Sequence, residues 1–234
     1  MLVFAAHPDD AELSCGGTIL KHVALGKKIG IVDLTRGELA TRGTPEKRTK
    51  EAHAASRILG TKIRVNLEMR DGFIQNDEAH QLKIIYTLRK FQPDIVLANA
   101  VKDRHPDHGK AAALVHDACF LSGLRKIKIR DDGKLLNAWR PRALYHYIQD
   151  TWTDPDVLVD VSDFFRKKMK VIREFRSQFH DPDSREPRTY ISTPQFLEFL
   201  EVRARDLGQM IGVKYAEGFV SERKVGVGDL FGLK

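Results

Sequence analysis

Short apolar runs alternate with amphipathic stretches through the first half of the chain. Residues 2–6 (LVFAA), 28–34 (KIGIVDL), 62–68 (KIRVNLE) and 94–100 (DIVLANA) are brief and rich in Val, Ile and Leu, the pattern of strands. Between them, 16–26 (GGTILKHVALG), 44–60 (TPEKRTKEAHAASRILG) and 76–91 (NDEAHQLKIIYTLRKF) predict helices. The second of these is punctuated at both ends: Thr44 is placed to cap it, Pro45 suits its first turn and Gly60 follows its last. Asn76 is the expected cap of the third, which stops before Pro93. A fourth helix, 108–123, follows the fourth strand. Strand–helix alternation of this kind predicts a parallel sheet with right-handed crossovers.

The second half is less regular. Strands are predicted at 142–148 and 157–162, and helices at 163–179 and 193–212, with a polar, proline-containing loop at 180–188. There is no internal repeat, low-complexity tract or long linker. The expected fold is a single Rossmann-like α/β domain over residues 1–234, with a mostly parallel sheet flanked by helices.

Composition narrows the classes without choosing among them. A hydrophobic content of 42% with 30% charged residues is that of an ordinary globular protein. Two cysteines, Cys15 and Cys119, cannot staple a small secreted domain and read as buried apolar side chains. The opening apolar run ends at His7 and has no basic residues before it, too short for a signal peptide or a span, so a cytoplasmic protein is expected. The net charge of +7 comes from basic residues interleaved with acids, and no nucleic-acid module is present. We therefore expect a small anionic substrate as partner, and neither nucleic acid nor membrane. Glycine-rich dinucleotide and triphosphate motifs are absent as well.

Two His/Asp clusters stand apart from this background: HPDD at 7–10 and DRHPDH at 103–108, directly after the first and fourth strands. Open α/β sheets bind ligands outside the carboxyl ends of their strands, where strand order reverses. The active site is thus expected at the C-terminal ends of strands one and four. His7 and Asp10 are three apart across a turn, and His105 and His108 are three apart at a helix start. A catalytic zinc takes three N/O ligands and keeps one position for water. Two histidines and one carboxylate satisfy it. A spare carboxylate can then serve as base, and a spare histidine can stabilise an oxyanion or protonate a leaving amine. Asp103 and Asp107 can orient the imidazoles. The same donors suit Fe(II), Co(II) or Mn(II), and two histidines with one carboxylate also make the facial triad of non-haem iron oxygenases. The additional carboxylate favours hydrolysis. A metal-stabilised binding module without turnover stays open on these residues.

AHPDDAELSCGGTI followed by DRHPDH resembles the LmbE/PIG-L family of zinc-dependent N-acetylglucosamine deacetylases. The likeness continues through 35–60, NLEMRDG at 66–72 and VKYAEGF at 213–219, and these flanking segments resemble most the bacillithiol branch, which removes acetate from N-acetylglucosaminyl malate. The resemblance implies His7, Asp10 and His108 as zinc ligands, Asp9 as general base and His105 as electrostatic stabiliser or acid. It also implies that Arg48 and Asp71 hold sugar hydroxyls, and that the protein is a homo-oligomer. A general N-acetyl-sugar deacetylase or amidase is the alternative within the family. Some members use a tyrosine of the C-terminal half as oxyanion partner; here Tyr190 and Phe196 compete for that position. Malate carries two carboxylates, and the loops nearest the expected site hold Arg36, Arg42, Arg48 and Arg104.

Overall fold

The apolar runs of the first half become β1 (Leu2–Ala5), β2 (Gly30–Thr35), β3 (Ile63–Met69) and β4 (Ile95–Ala98). They alternate with α1 (Asp10–Ala24), α2 (Pro45–Leu59), α3 (Glu78–Phe91) and α4 (Pro106–Leu121). The computed structural model describes residues 1–231, so the last three residues of the expected domain lie outside the described part. A short hairpin, β5 (Arg130–Asp131) and β6 (Lys134–Leu135), precedes β7 (Ala143–Tyr147), β8 (Val157–Asp160) and α5 (Phe165–Ile172). A 3-10 turn at Tyr190–Ser192, α6 (Pro194–Gln209) and β9 (Ala216–Ser221) are the last elements among the described residues.

One seven-stranded sheet, ordered β3-β2-β1-β4-β7-β9-β8, forms the middle layer. The chain runs outward from β1 through β2 to β3, then returns to the other side of β1 as β4. Val3 pairs in parallel register with Ile31 on one side and Leu97 on the other. The switch point therefore lies between β1 and β4, as the positions of the two clusters predict. Alternate residues of β1 feed opposite cores. Val3 and Ala5 join Ile19 of α1, Ala55 of α2 and Phe175 on one face, while Leu2 and Phe4 join Ile84 of α3 and Leu114 of α4 on the other. No helix among the described residues is long and apolar enough to cross a membrane.

Four boundaries differ from the sequence reading. Helix α1 begins at Asp10, and not at Gly16, because Gly16 and Gly17 sit inside it rather than in a turn. The helix kinks at Cys15 (φ −135°, ψ 20°), and the N–H groups of Gly17 and Thr18 donate to Glu217 of β9 at 2.8 and 2.6 Å. A Cβ on Gly17 would lie 2.8 Å from the Cβ of Val161, so glycine permits the close approach. Asp77, and not Asn76, caps α3 by accepting the His80 N–H at 2.9 Å. Helix α4 starts at Pro106, two residues before the expected point, with His105 as its cap. Helix α5 ends at Ile172, short of the expected 179, and beyond it Glu51 of α2 holds Ser177, accepting its N–H at 2.9 Å and its hydroxyl at 2.6 Å. Phe175 and Phe179 nevertheless stay in the core.

Strand β9 has no counterpart in the sequence reading. It runs antiparallel to both β7 and β8, pairing Phe219 with Tyr147 and Val157. Its Glu217 is buried, and Lys168 of α5 pairs with it at 2.7 Å. Removing one partner of a buried ion pair strands the other. Glu217→Ala is therefore expected to cost ~3–5 kcal/mol in urea unfolding, and Glu217→Gln less because its single amide oxygen still accepts one of the two N–H groups. A loss below ~1 kcal/mol for Glu217→Ala, the worth of one ordinary hydrogen bond, would show that the kink does not need this carboxylate.

Candidate active site

The loops that follow β1 and β4 meet over the switch point, where the rings of His7, His105 and His108 lie 4.6–5.6 Å apart between centroids. They line a cavity of about 340 Å³, closed elsewhere by the loops after β2, β3 and β7 and by one face of α6.

Asp10, in the first turn of α1, is the centre of the cluster. Its Oδ2 accepts the backbone N–H of His7 and the amide of Asn99, both at 3.0 Å. Its Oδ1 accepts the Gln149 amide at 3.1 Å and lies 3.2 Å from His108 Nε2. His7 Nδ1 is 3.6 Å from the same carboxylate. Each of these imidazoles turns its other nitrogen to a second carboxylate. His7 Nε2 lies 2.9 Å from Asp71 and 3.5 Å from Asp107, and His108 Nδ1 lies 2.5 Å from Asp103. Burial alone would favour neutral rings, but the flanking carboxylates override it. They raise His7 well above its ordinary value and His108 to about 9. Burial likewise opposes ionisation of Asp10, yet His108 and His7 hold it well below the usual carboxylate range. The acids thus demand positive charge at this point, from protons or from a cation.

His105 behaves differently. Its Nδ1 accepts the Asp107 N–H at 3.2 Å, which leaves the ring proton on Nε2. Burial, and then the neighbouring His7 and His108, lower it to about 4, so the ring is a neutral donor near pH 7. Ligand atoms of His7, His105 and His108 lie within 4.8 Å of one another, as do those of His7, Asp71 and Asp107. A His/Asp group able to hold a metal ion is therefore present. The tautomer of His105 argues against it as a ligand, and Asp71 and Asp107 also accept the N–H groups of Leu39 and Gly72. His7 and His108 each turn an outer nitrogen to a carboxylate, Asp71 and Asp103, the kind of contact that orients histidine ligands.

Asp9 occupies φ 124°, a strained conformation for a non-glycine residue. Its Oδ2 accepts Arg48 Nη2 at 2.8 Å, and Arg48 Nε is held by the Pro8 carbonyl at 2.9 Å. Burial pushes Asp9 up to about 7 against the pull of Arg48.

The two residues expected to hold sugar hydroxyls both line the cavity and are also bonded within the protein. Arg48 lines the cavity but is bonded to Asp9 and Pro8, with its Nη1 packed against Gly37, where a Cβ would clash with it. Asp71 lines it too, with one oxygen on His7 and the other accepting Leu39 N–H at 2.9 Å. Desolvation would raise Asp71, but the His7 hydrogen bond brings it down to about 2. Phe196 lines the cavity, whereas Tyr190 lies at its rim and donates its hydroxyl to Asp150 at 3.1 Å. The expected arginine cluster also disperses. Arg42 is a buried strut to Ser177 and Pro187, and Arg36 pairs with Glu46. Asn99 and Gln149 were missed by the sequence reading. Both sit just beyond parallel strands β4 and β7 on the edge that holds the clusters, the signal that could have found them.

Fold and site together describe an α/β protein with a His/Asp centre, able to hold a metal ion, at the switch point of its sheet. The chain belongs to the PIG-L family, whose model, described as GlcNAc-PI de-N-acetylase, matches residues 2–119. It is similar to the conserved protein TT1542 of Thermus thermophilus, 38% identical with a TM-score of 0.86 over 97% of this chain and 96% of that one. The N,N'-diacetylchitobiose deacetylase of Pyrococcus horikoshii is 28% identical, with a TM-score of 0.79 over 93% and 81%. A 4-oxalmesaconate hydratase of Pseudomonas putida is 25% identical over 76% of this chain and 74% of its own.

Arg48→Ala strands the buried Asp9 carboxylate and is expected to destabilise the fold by ~3–5 kcal/mol. In an Asp9→Asn background the same change is expected to cost much less, because no charge is left unpaired. Urea unfolding of the four proteins measures the coupling. Additive losses would mean that the two side chains do not interact energetically.

Proposed function

We propose that this protein is a zinc-dependent N-deacetylase that removes acetate from N-acetylglucosaminyl malate, with His7, Asp10 and His108 as metal ligands. One observation carries the reading: both imidazoles share Asp10 on the inner side and meet carboxylates, Asp71 and Asp103, on the outer. Those residues fit a divalent ion of the N/O-preferring kind. Bound there, such an ion supplies Lewis acidity to water and to the amide carbonyl.

The remaining steps belong to the chain's own groups. Arg48 occupies Oδ2 of Asp9, leaving Oδ1 to take a proton from water as its oxygen adds to the acetyl carbon. The Nε2–H of His105 donates to the carbonyl oxygen as charge gathers there. The proton held by Asp9 passes to the amine nitrogen when the C–N bond breaks. Acetate and a free amino sugar leave, and the carboxylate is regenerated.

Support for a sugar comes from the P. horikoshii relative and the family description. Support for malate comes from the flanking segments that resemble the bacillithiol branch. The resemblance further supports a homo-oligomer acting in the cytoplasm. The P. putida relative makes hydration of a small acid the alternative chemistry, and acetate release separates the two.

The test pairs metal analysis of the purified protein with acetate release from N-acetylglucosaminyl malate and from methyl N-acetylglucosaminide. Bound zinc and equimolar acetate and amine, lost on chelation, are expected. Asp9→Asn is expected to keep the metal and lose ~10²–10⁴-fold in rate, the usual worth of a positioned base. Absence of acetate from both substrates at full metal occupancy would refute the deacetylase reading, and loss of metal in Asp9→Asn would make Asp9 a ligand.

Asp71→Asn separates the two roles open to that residue. Carboxylates that orient ligand histidines typically contribute 10–100-fold to metal affinity, and we expect Asp71→Asn to lower zinc affinity by about that factor. A raised KM for the sugar at unchanged zinc affinity would instead return Asp71 to the hydroxyl-binding role.

A further inference from the structure

Three arginines line the cavity, and two are already engaged. Arg48 is spent on Asp9 and Pro8. Arg104 lies 3.3 Å from Asp150 and stacks over the Tyr190 ring at 4.8 Å. Arg203 of α6 is the third. Among the described residues none of its N–H groups has a hydrogen-bond partner, although Nη1 is buried. Its guanidinium carbon lies 5.0 Å from the Phe199 ring, and the charges of Asp150 and Asp103 act on it without a direct hydrogen bond. Burial holds it below its ordinary value, yet a guanidinium remains charged at any physiological pH.

A guanidinium with a buried, idle donor is costly to keep, and such groups in native proteins meet a partner. Its neighbours along α6 indicate what that partner is. Phe196, Leu200 and Arg203 recur at helical spacing and all face the cavity, so the helix offers an apolar strip ending in a planar fork of donors. A carboxylate on a short carbon skeleton matches both parts, because the fork grips its two oxygens and the strip covers the skeleton. The His/Asp residues approach from the loops after β1, β3 and β4; Asp103 among them, with Asp150, attracts the same guanidinium, so an incoming carboxylate competes with these acids for it.

We propose that Arg203 binds a carboxylate on the part of the substrate remote from the acetyl group, and so selects acidic conjugates over neutral glycosides. The proposal deepens the deacetylase reading and rests on it for the identity of the substrate. A carboxylate could also be supplied by the product acetate, so the test includes both sources.

The experiment compares wild type with Arg203→Gln and Arg203→Lys. For Arg203→Gln, the ratio of kcat/KM on N-acetylglucosaminyl malate to that on methyl N-acetylglucosaminide is expected to fall ~10–100-fold, the usual range for a lost charge-assisted pair. The fall should reside mainly in KM, and Arg203→Lys should recover part of it. Equal losses on both substrates, or none on either, would overturn the proposal. Calorimetric binding of L-malate and of acetate to the zinc-loaded proteins needs no turnover, so it decides the matter even where the deacetylase reading fails. L-malate affinity is expected to drop ~10-fold or more in Arg203→Gln, on the same grounds. A drop confined to acetate would assign the residue to the product and overturn the proposal. Should the variant not fold, the wild type still answers: equal affinity for L-malate and its uncharged diamide would overturn it.

Discussion

The carboxylate of Asp10 is the point at which separate parts of the chain are forced to agree. Donors from the loop after β1, from Asn99 at the end of β4, from His108 on α4 and from Gln149 beyond β7 all converge on its two oxygens. Four more acids, Asp9, Asp71, Asp103 and Asp107, lie around the same three imidazoles. So many carboxylates in a largely buried site are tolerable only when each is paired, because an isolated buried charge shifts its protonation instead. The site is therefore a charge-balancing problem first, and protons on His7 and His108 or a divalent ion are the two ways of solving it.

The distant second half of the chain supports that cluster mechanically. Asp10 rides on the first turn of α1, where an acid also suits the helix dipole. The same helix kinks five residues on, and Glu217 caps the freed N–H groups from β9 while Lys168 of α5 neutralises it. Arg48 of α2 performs the matching task for Asp9, whose left-handed φ costs about 1–3 kcal/mol. Strain at Asp9, which lines the cavity, is thus held in place by one buried ion pair, and the adjacent helix by another.

His105 illustrates how local structure sets chemistry. It caps α4, and the cap uses Nδ1 as acceptor, which fixes the proton on Nε2. A helix boundary two residues earlier than the hydrophobic pattern indicates is what turns this histidine from a potential ligand into a donor.

Periodicity, caps and strand–loop punctuation were enough to place β1 to β4, β7, β8 and most of the helices, because those signals are short-range and each apolar run answers to its own neighbours. They also put HPDD and DRHPDH on one sheet edge, since an open parallel sheet admits only one side for such loops. Three things were not legible. Strand β9 pairs with partners 56 to 76 residues earlier, and nothing local marks it. The Gly16–Gly17 pair reads as a turn until Val161 and Glu217 arrive from elsewhere in the fold to explain it. The partners of Arg48, Asp71 and Arg203 depend on which side chains face one another across the cavity. Residue types and spacing alone determined which chemistry this chain can support; only the tertiary structure decided which nitrogen faces which oxygen, because those distances are set by packing between elements remote in sequence.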